Sequence, residues 1–301
     1  NLVDNIDIWI NPLANPDGTY AGGNNNVFSA TRSNANNIDL NRNYPDPQDG
    51  LHPDGNSFQP ETMIFMGLAD TVNFNLASNL HTGSVVANYP WDTWSNITAD
   101  VDWWLQVMTQ YASLAQQNSS NDYFSQYENG ITNGNEWYEV AGGRQDYMNY
   151  YEHCREFTLE LSDDKTPIGA DLPFYWEANK ASLLAYIQQS IFGLRGVVTD
   201  SLTGEALLVK VFIENYDIDR IYPVDKNTLC FSISGTFKIL VNKPINSDED
   251  LRSIEVELDG NFDNGVQVDF NFFDFDNFEE PNGGSISFTD HEGLGVSFLD
   301  K

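Results

Sequence analysis

The sequence predicts an α/β domain over residues 1–192 and a small β-sandwich over 193–260. An acidic, aromatic-rich β or tail segment follows over 261–301. Three observations lead there. Strand-like and helix-like stretches alternate as far as Gly193, the pattern of helices layered on a largely buried sheet. From Gly193 onward, short strand-like runs recur between turn signals with no helical stretch among them, which is the pattern of a sandwich. A length of 301 residues also exceeds the usual single domain and favours one large domain plus a smaller one.

In chain order, Ile6-Asp7-Ile8-Trp9-Ile10 reads as a strand. A chain rarely begins so close to a buried strand, so the natural N-terminus is expected to have been lost. The absence of a targeting segment then says nothing about location. Glu61 to Asn73, after Pro60, reads as a helix carrying Met63, Met66 and Leu68. Phe74 to His81 and Val85 to Tyr89 read as strands flanking a Thr82-Gly83 turn. From Ala99 to Gln117, Val101, Trp104, Leu105, Met108, Ala112 and Ala115 follow helical spacing. Phe157 to Leu161 is a further strand. Trp176 to Phe192 is a helix with Leu183, Leu184 and Ile187 on one face and Gly193 as its C-cap. Beyond it, Leu194–Thr199, Val209–Glu214, Phe237–Val241 and Ile254–Leu258 are strand-like, with a turn at Asp200–Gly204.

The charge balance excludes one class of partner. Against 45 Asp and Glu stand 14 Lys and Arg, a net charge of −31. Nucleic-acid binding is driven by cationic neutralisation of phosphates, so no nucleic-acid partner is expected. An acidic surface suits solubility in a salty medium or the attraction of cationic substrates. A hydrophobic share of 41% with 13% aromatics can fill a core. No apolar run is long enough to span a bilayer. The two cysteines, Cys154 and Cys230, lie far apart and form neither a disulfide framework nor a Cys-based zinc site.

Four segments carry candidate chemistry. Asn11 to Gly18 holds two Asn-Pro steps and an Asp-Gly, by itself a turn-rich loop. Arg32 to Pro45 places Arg32 and Arg42 among amides in a chain poor in cations. Each guanidinium there is either a fork for a carboxylate or oxyanion or a surface ion pair. His81 ends an apolar strand at a glycine turn, where a neutral imidazole serves as a metal ligand or as a satisfied structural residue. Glu160 lies in the middle of an apolar strand, so it is either functional or held in a structural salt bridge.

Taken together and in order, these segments resemble the zinc metallocarboxypeptidase family, specifically the regulatory subfamily that includes carboxypeptidases D, E, M and N. The matching motifs are Asn15-Pro16-Asp17-Gly18, Asp39-Leu40-Asn41-Arg42-Asn43, Asn79-Leu80-His81, Asn88-Tyr89-Pro90-Trp91-Asp92, Gly143-Arg144-Gln145-Asp146 and Leu159-Glu160-Leu161-Ser162. The resemblance covers residues 1–192, and Gly196 to Glu214 is similar to the transthyretin-like sandwich that follows the catalytic domain in this subfamily. It implies a mixed-sheet carboxypeptidase domain, one zinc ion per catalytic domain, and a secreted, periplasmic or extracellular setting.

Roles follow from the resemblance residue by residue. His81 matches the third zinc ligand. Glu160 matches the general base and acid that deprotonates zinc-bound water and then protonates the leaving amine. Arg32 matches the arginine that meets the tetrahedral oxyanion. Asn41 and Arg42 match the pair that clamps the substrate's terminal carboxylate, and Tyr138 the mobile tyrosine that closes over it. Asp92 and Gln145 match the pocket positions that favour a C-terminal lysine or arginine, so the implied partners are basic peptide or protein C-termini. Arg144 departs from the pattern, since many animal members carry methionine there. A guanidinium turned into the pocket would pair with Asp92 and weaken the basic preference.

The resemblance also demands a His-x-x-Glu pair upstream of Asn15, and it is not in the sequence. The string His153-Cys154-Arg155-Glu156 does not replace it. It leads into the strand bearing Glu160, where positions i and i+3 point to opposite faces, and Glu156 is read as structural. A catalytic zinc needs three protein ligands, so this chain is expected to be inactive although its family is enzymatic. Two functions are carried forward. One is an exopeptidase releasing C-terminal lysine or arginine; the other is a non-catalytic module that binds peptide C-termini.

Overall fold

The computed structural model describes residues 2–191 except 73, 99, 120 and 121; beyond 191 it describes strand segments only, without their side chains. The chain divides into two compact units, Asn1–Ile187 and Gln188–Lys301.

The first unit is organised by a sheet of order β1-β4-β2-β3. Its strands are β1 (Leu76–His81), β2 (Ser84–Tyr89), β3 (Ile131–Asn133) and β4 (Arg155–Ser162). β4 runs parallel to β1 and antiparallel to β2, while β2 and β3 are parallel. The alternation of β4 divides the domain. Phe157 and Leu159 are fully buried in an apolar core, and the intervening Glu156, Thr158 and Glu160 are buried toward the other face. Three polar residues inside a central strand are costly unless each finds a partner or a use. That requirement locates the site.

Helix α3 (Val101–Gln117) supplies the core with Trp103, Trp104, Val107, Met108 and Tyr111. Leu105, expected on that face, is 36% exposed. Both tryptophans are buried, edge to face at 4.8 Å, and this rotates the apolar stripe away from Leu105. Helix α6 (Leu172–Gln188) packs on the same core through Ala178 and Tyr186. It starts earlier than the sequence predicts, and Leu184 faces outward. Ser182 and Tyr186 bond the carbonyls of Tyr111, Ala77 and Arg155, joining α6 to α3, β1 and β4.

On the opposite side lie α2 (Pro60–Val72), close to its expected span, and α5 (Arg144–Tyr150). Tyr44, Ala69, Tyr147, Met148 and Cys154 form a second cluster there. Two short helices complete the unit, α1 (Pro16–Thr19) and α4 (Gly134–Trp137).

The strand expected at Ile6–Ile10 is not formed; these residues are irregular, and Trp9 and Ile10 are 59% and 82% exposed. Alternating apolar residues become a strand only beside a neighbour that takes up their N–H and C=O groups. None of the described strands pairs with this segment.

In the second unit the strands are β5 (Leu194–Arg195), β6 (Val198–Asp200), β7 (Lys210–Ile213), β8 (Thr228–Leu229), β9 (Gly235–Asn242) and β10 (Leu251–Leu258). They are followed by β11 (Val266–Val268), β12 (Phe270–Phe272), β13 (Ser285–Thr289) and β14 (Gly295–Leu299). β9 pairs antiparallel with both β7 and β10. The expected strands at Val209–Glu214, Phe237–Val241 and Ile254–Leu258 therefore coincide with described ones. Most of the Asp200–Gly204 turn and the Gly193 cap lie outside the described residues.

Candidate active site

Two strand ends deliver the first pair of groups. β1 and β4 are in parallel register with His81 opposite Glu160, and the turn after His81 uses Gly83 at φ +127°. Burial, and then the charges of Arg32 and Arg144, push the His81 imidazole down to about 4, so it is neutral at pH 7. Glu160 is 7% exposed, and its Oε2 has no hydrogen-bond partner among the described residues. Desolvation raises its carboxyl to about 7, opposed by Arg32 and Lys165. A carboxyl that titrates near neutrality can both take and return a proton.

The loop before α2 delivers the second set. Asp39 caps the tight turn Leu40–Arg42 by accepting from the Asn41 N–H, and its other oxygen accepts from Arg32 Nε at 2.6 Å. One carboxylate thus fixes both Arg32 and Asn41. Asn41 Oδ1 accepts from the Arg144 N–H at 2.9 Å, which leaves the amide nitrogen as the group able to donate to a ligand. Close approach to α5 requires glycine at 142. Its φ is +71°, and a Cβ there would stand 2.4 Å from the Arg42 carbonyl oxygen.

The third set forms a pocket floor after β2. Asp92 is 4% exposed, and its Oδ1 accepts from Asn88 Nδ2 at 3.0 Å and from Gln145 Nε2 at 2.9 Å. Burial pushes its carboxyl up to about 6, with the Asn88 bond and the Arg42 charge acting against it. A Cβ on Gly134 would lie 1.8 Å from Asp92 Oδ1. Gly134→Ala is therefore expected to displace the carboxylate and weaken binding of a cationic ligand by about tenfold or more, roughly the 1.4 kcal/mol of a lost charged hydrogen bond. Calorimetric titration of the folded variant checks this.

Arg32, Asn41, His81, Asp92, Tyr138 and Glu160 all line one cavity. Asn88, Trp137 and Thr158, to which the sequence assigned no role, line it too. Asn88 was visible within its motif, but nothing in one sequence separates a lining amide from a turn-forming one. Arg42 and Gln145 are not on the lining. Arg42 Nη1 donates to the Asn41 carbonyl at 2.6 Å. Gln145 is 1% exposed and stands behind Asp92, its Oε1 accepting from the Thr158 N–H.

Arg144 does not turn toward Asp92. Its Nε and Nη2 bond both oxygens of Glu156 at 2.9 and 3.0 Å, Nη2 also bonds the Ser78 carbonyl, and the guanidinium lies over Phe65. Glu156 is fully buried, so it serves as the counter-ion of Arg144, in line with its structural reading.

Zinc is the ion that the resemblance implies. His81 fits as a ligand, being half-buried and neutral, but a catalytic zinc needs two more. Among the described residues, no group of three or more His, Cys, Asp and Glu side chains could hold a metal ion. These residues by themselves do not fit zinc.

With the geometry established, comparison defines the class. The zinc carboxypeptidase family model matches residues 1–182, well over half the chain, and the chain belongs to that family. It is 36% identical to mouse carboxypeptidase M over 261 residues, covering 81% of this chain and 58% of that protein. To carboxypeptidase D of the duck Anas platyrhynchos it is 35% identical over 288 residues, covering 90% of this chain and 20% of that one. Carboxypeptidase A from Helicoverpa armigera aligns with a TM-score of 0.43 at 18% identity, covering 59% of this chain and 50% of that one, too loose a likeness to bear on the site. The chain spans little more than half of carboxypeptidase M and a fifth of carboxypeptidase D.

Proposed function

We propose that the cavity receives the last residue of a peptide, and that the protein to which this sequence belongs removes that residue, lysine or arginine. The observation that carries the reading is the convergence of Arg32, Asn41, His81, Asp92, Tyr138 and Glu160 on one cavity. An exopeptidase must recognise a free carboxylate. The Asn41 amide supplies a donor for it. Arg42, off the lining and bonded to the Asn41 carbonyl, reaches it by turning its guanidinium inward, and Tyr138, 48% exposed beside Trp137, is free to cover it. Asp92 meets the cationic side chain. Among the described residues only Nε of Arg32 is engaged, with Asp39, so its terminal nitrogens can meet the oxyanion that develops during hydrolysis. Glu160, unpartnered at Oε2 among the described residues and raised by burial to about 7, carries the proton from attacking water to leaving amine.

Family chemistry uses zinc, and these described residues contribute one imidazole toward it. The chain by itself therefore binds peptide C-termini without cleaving them. Residues 193–260 are read as a transthyretin-like sandwich on the succession of strands there, and the setting as secreted or periplasmic on the family resemblance. In the test, the chain is incubated with zinc and a peptide ending in arginine. Saturable binding without release of arginine is expected, and release by this chain, or no binding, contradicts the reading. No helix among the described residues is long and apolar enough to cross a membrane.

A further inference from the structure

The loop that carries Asp92 leaves β2 at Tyr89, and the N–H groups of Asp92 and Thr93 both point into the protein. One side chain takes them. Asp146 accepts from Asp92 N–H at 3.0 Å and from Thr93 N–H at 2.7 Å. It is fully buried, and no lysine or arginine bonds it among the described residues. Burial, and then the neighbouring Asp92 carboxylate, push the Asp146 carboxyl well up against the two N–H bonds, a cost that an apolar residue of similar size would avoid while filling the same volume. Two directed N–H bonds are what the carboxylate offers in return.

Its neighbours share the task. Gln145, adjacent in the first turn of α5, holds Asp92 Oδ1 from the other end of the residue. Asp46 accepts from Thr93 Oγ1 and from the Gly142 N–H, tying the same turn to the segment that leads into α5. Asp92 is thus gripped at its backbone by Asp146 and at its carboxylate by Gln145 and Asn88. Both amides bond to Oδ1, so Oδ2 has no hydrogen bond among the described residues and stays open to a ligand.

We propose that Asp146 is a positioning residue for side-chain specificity: without entering the cavity, it fixes the Asp92–Thr93 backbone so that the Asp92 carboxylate meets a cationic side chain. This rests on the reading of Asp92 given above. The Asp92 N–H is shared by both carboxyl oxygens and the Thr93 N–H goes to one of them. Asp146→Asn keeps the shape but sets an N–H₂ donor against the Asp92 N–H in place of one oxygen, and the turn shifts. A merely structural role would weaken all ligands alike. A positioning role weakens the charge-reading contact selectively.

The experiment compares two peptides that differ only in the last side chain, arginine or its uncharged isostere citrulline. Affinities of both are measured by calorimetry on the full chain, on Asp92→Asn and on Asp146→Asn. The wild type is expected to favour arginine by about tenfold or more, Asp92→Asn to bring the ratio near unity, and Asp146→Asn to reduce it severalfold. A ratio unchanged in Asp146→Asn but lost in Asp92→Asn overturns the positioning role. A wild-type chain with no preference, or a preference that survives Asp92→Asn, overturns the reading of Asp92 itself. Amide hydrogen exchange on the wild type needs no variant. The amides of Asp92 and Thr93 are expected to be protected like those of β2, and exchange at the rate of an open loop would contradict the proposal even if Asp146→Asn fails to fold.

Discussion

Replacing Arg144 by alanine is expected to destabilise the first unit by about 3–5 kcal/mol, the usual result of stripping one partner from a buried ion pair. The magnitude follows from Glu156, which is fully buried and bonds Arg144 through both oxygens. Burial already pushes the Glu156 carboxyl up, and Arg144 is the group that holds it down. Without the guanidinium the carboxylate must take up a proton or break open the packing around it. The Arg144→Met/Glu156→Gln double substitution is expected to recover much of the loss, because it removes both charges together. Urea denaturation followed by tryptophan fluorescence measures both. A single variant within about 0.5 kcal/mol of wild type, the range of ordinary surface substitutions, would show that the pair is not formed.

Asp92→Asn is expected to have the largest effect on ligand choice. Truncating one member of a buried charge pair costs about 2–5 kcal/mol, which is roughly thirtyfold or more in affinity for a C-terminal arginine. A peptide ending in citrulline or leucine should bind about equally to both proteins. The wild-type preference should also depend on pH with a definite sign. Desolvation raises the Asp92 carboxyl to about 6, so the floor is anionic above that value and neutral below it. The arginine-to-citrulline ratio is therefore expected to fall as pH drops through about 6, with no such step in Asp92→Asn. Taking the ratio separates this titration from that of Glu160, which lies near 7.

Much of the site was legible because its residues sit in short, ordered motifs and because a glutamate inside an apolar strand needs an explanation. β4 forms as expected, and Glu160 lies at the cavity. Less legible was everything decided by distant partners. Whether Arg144 would neutralise Asp92 depended on where its guanidinium turned, and the answer came from Glu156, which the fold brings across from β4 to the first turn of α5. Gln145 was read as a pocket residue by motif. It lies off the cavity lining behind Asp92, its amide spanning between that carboxylate and the Thr158 N–H. Periodicity alone misplaced Leu105 on α3, because two adjacent buried tryptophans set the rotation of the helix. It also suggested a strand at Ile6–Ile10, where no described strand offers a pairing edge.

The central claim, that this cavity reads the end of a peptide chain, is tested most directly by removing the charge that defines such an end. Two peptides ending in arginine, one with a free carboxylate and one with a C-terminal amide, are titrated into the chain under identical salt and pH. With Asn41 on the lining and Arg42 turning in beside it as the carboxylate clamp, amidation is expected to weaken binding by about tenfold or more, the size of a charge-assisted hydrogen bond. Equal affinity for the two peptides would contradict the account.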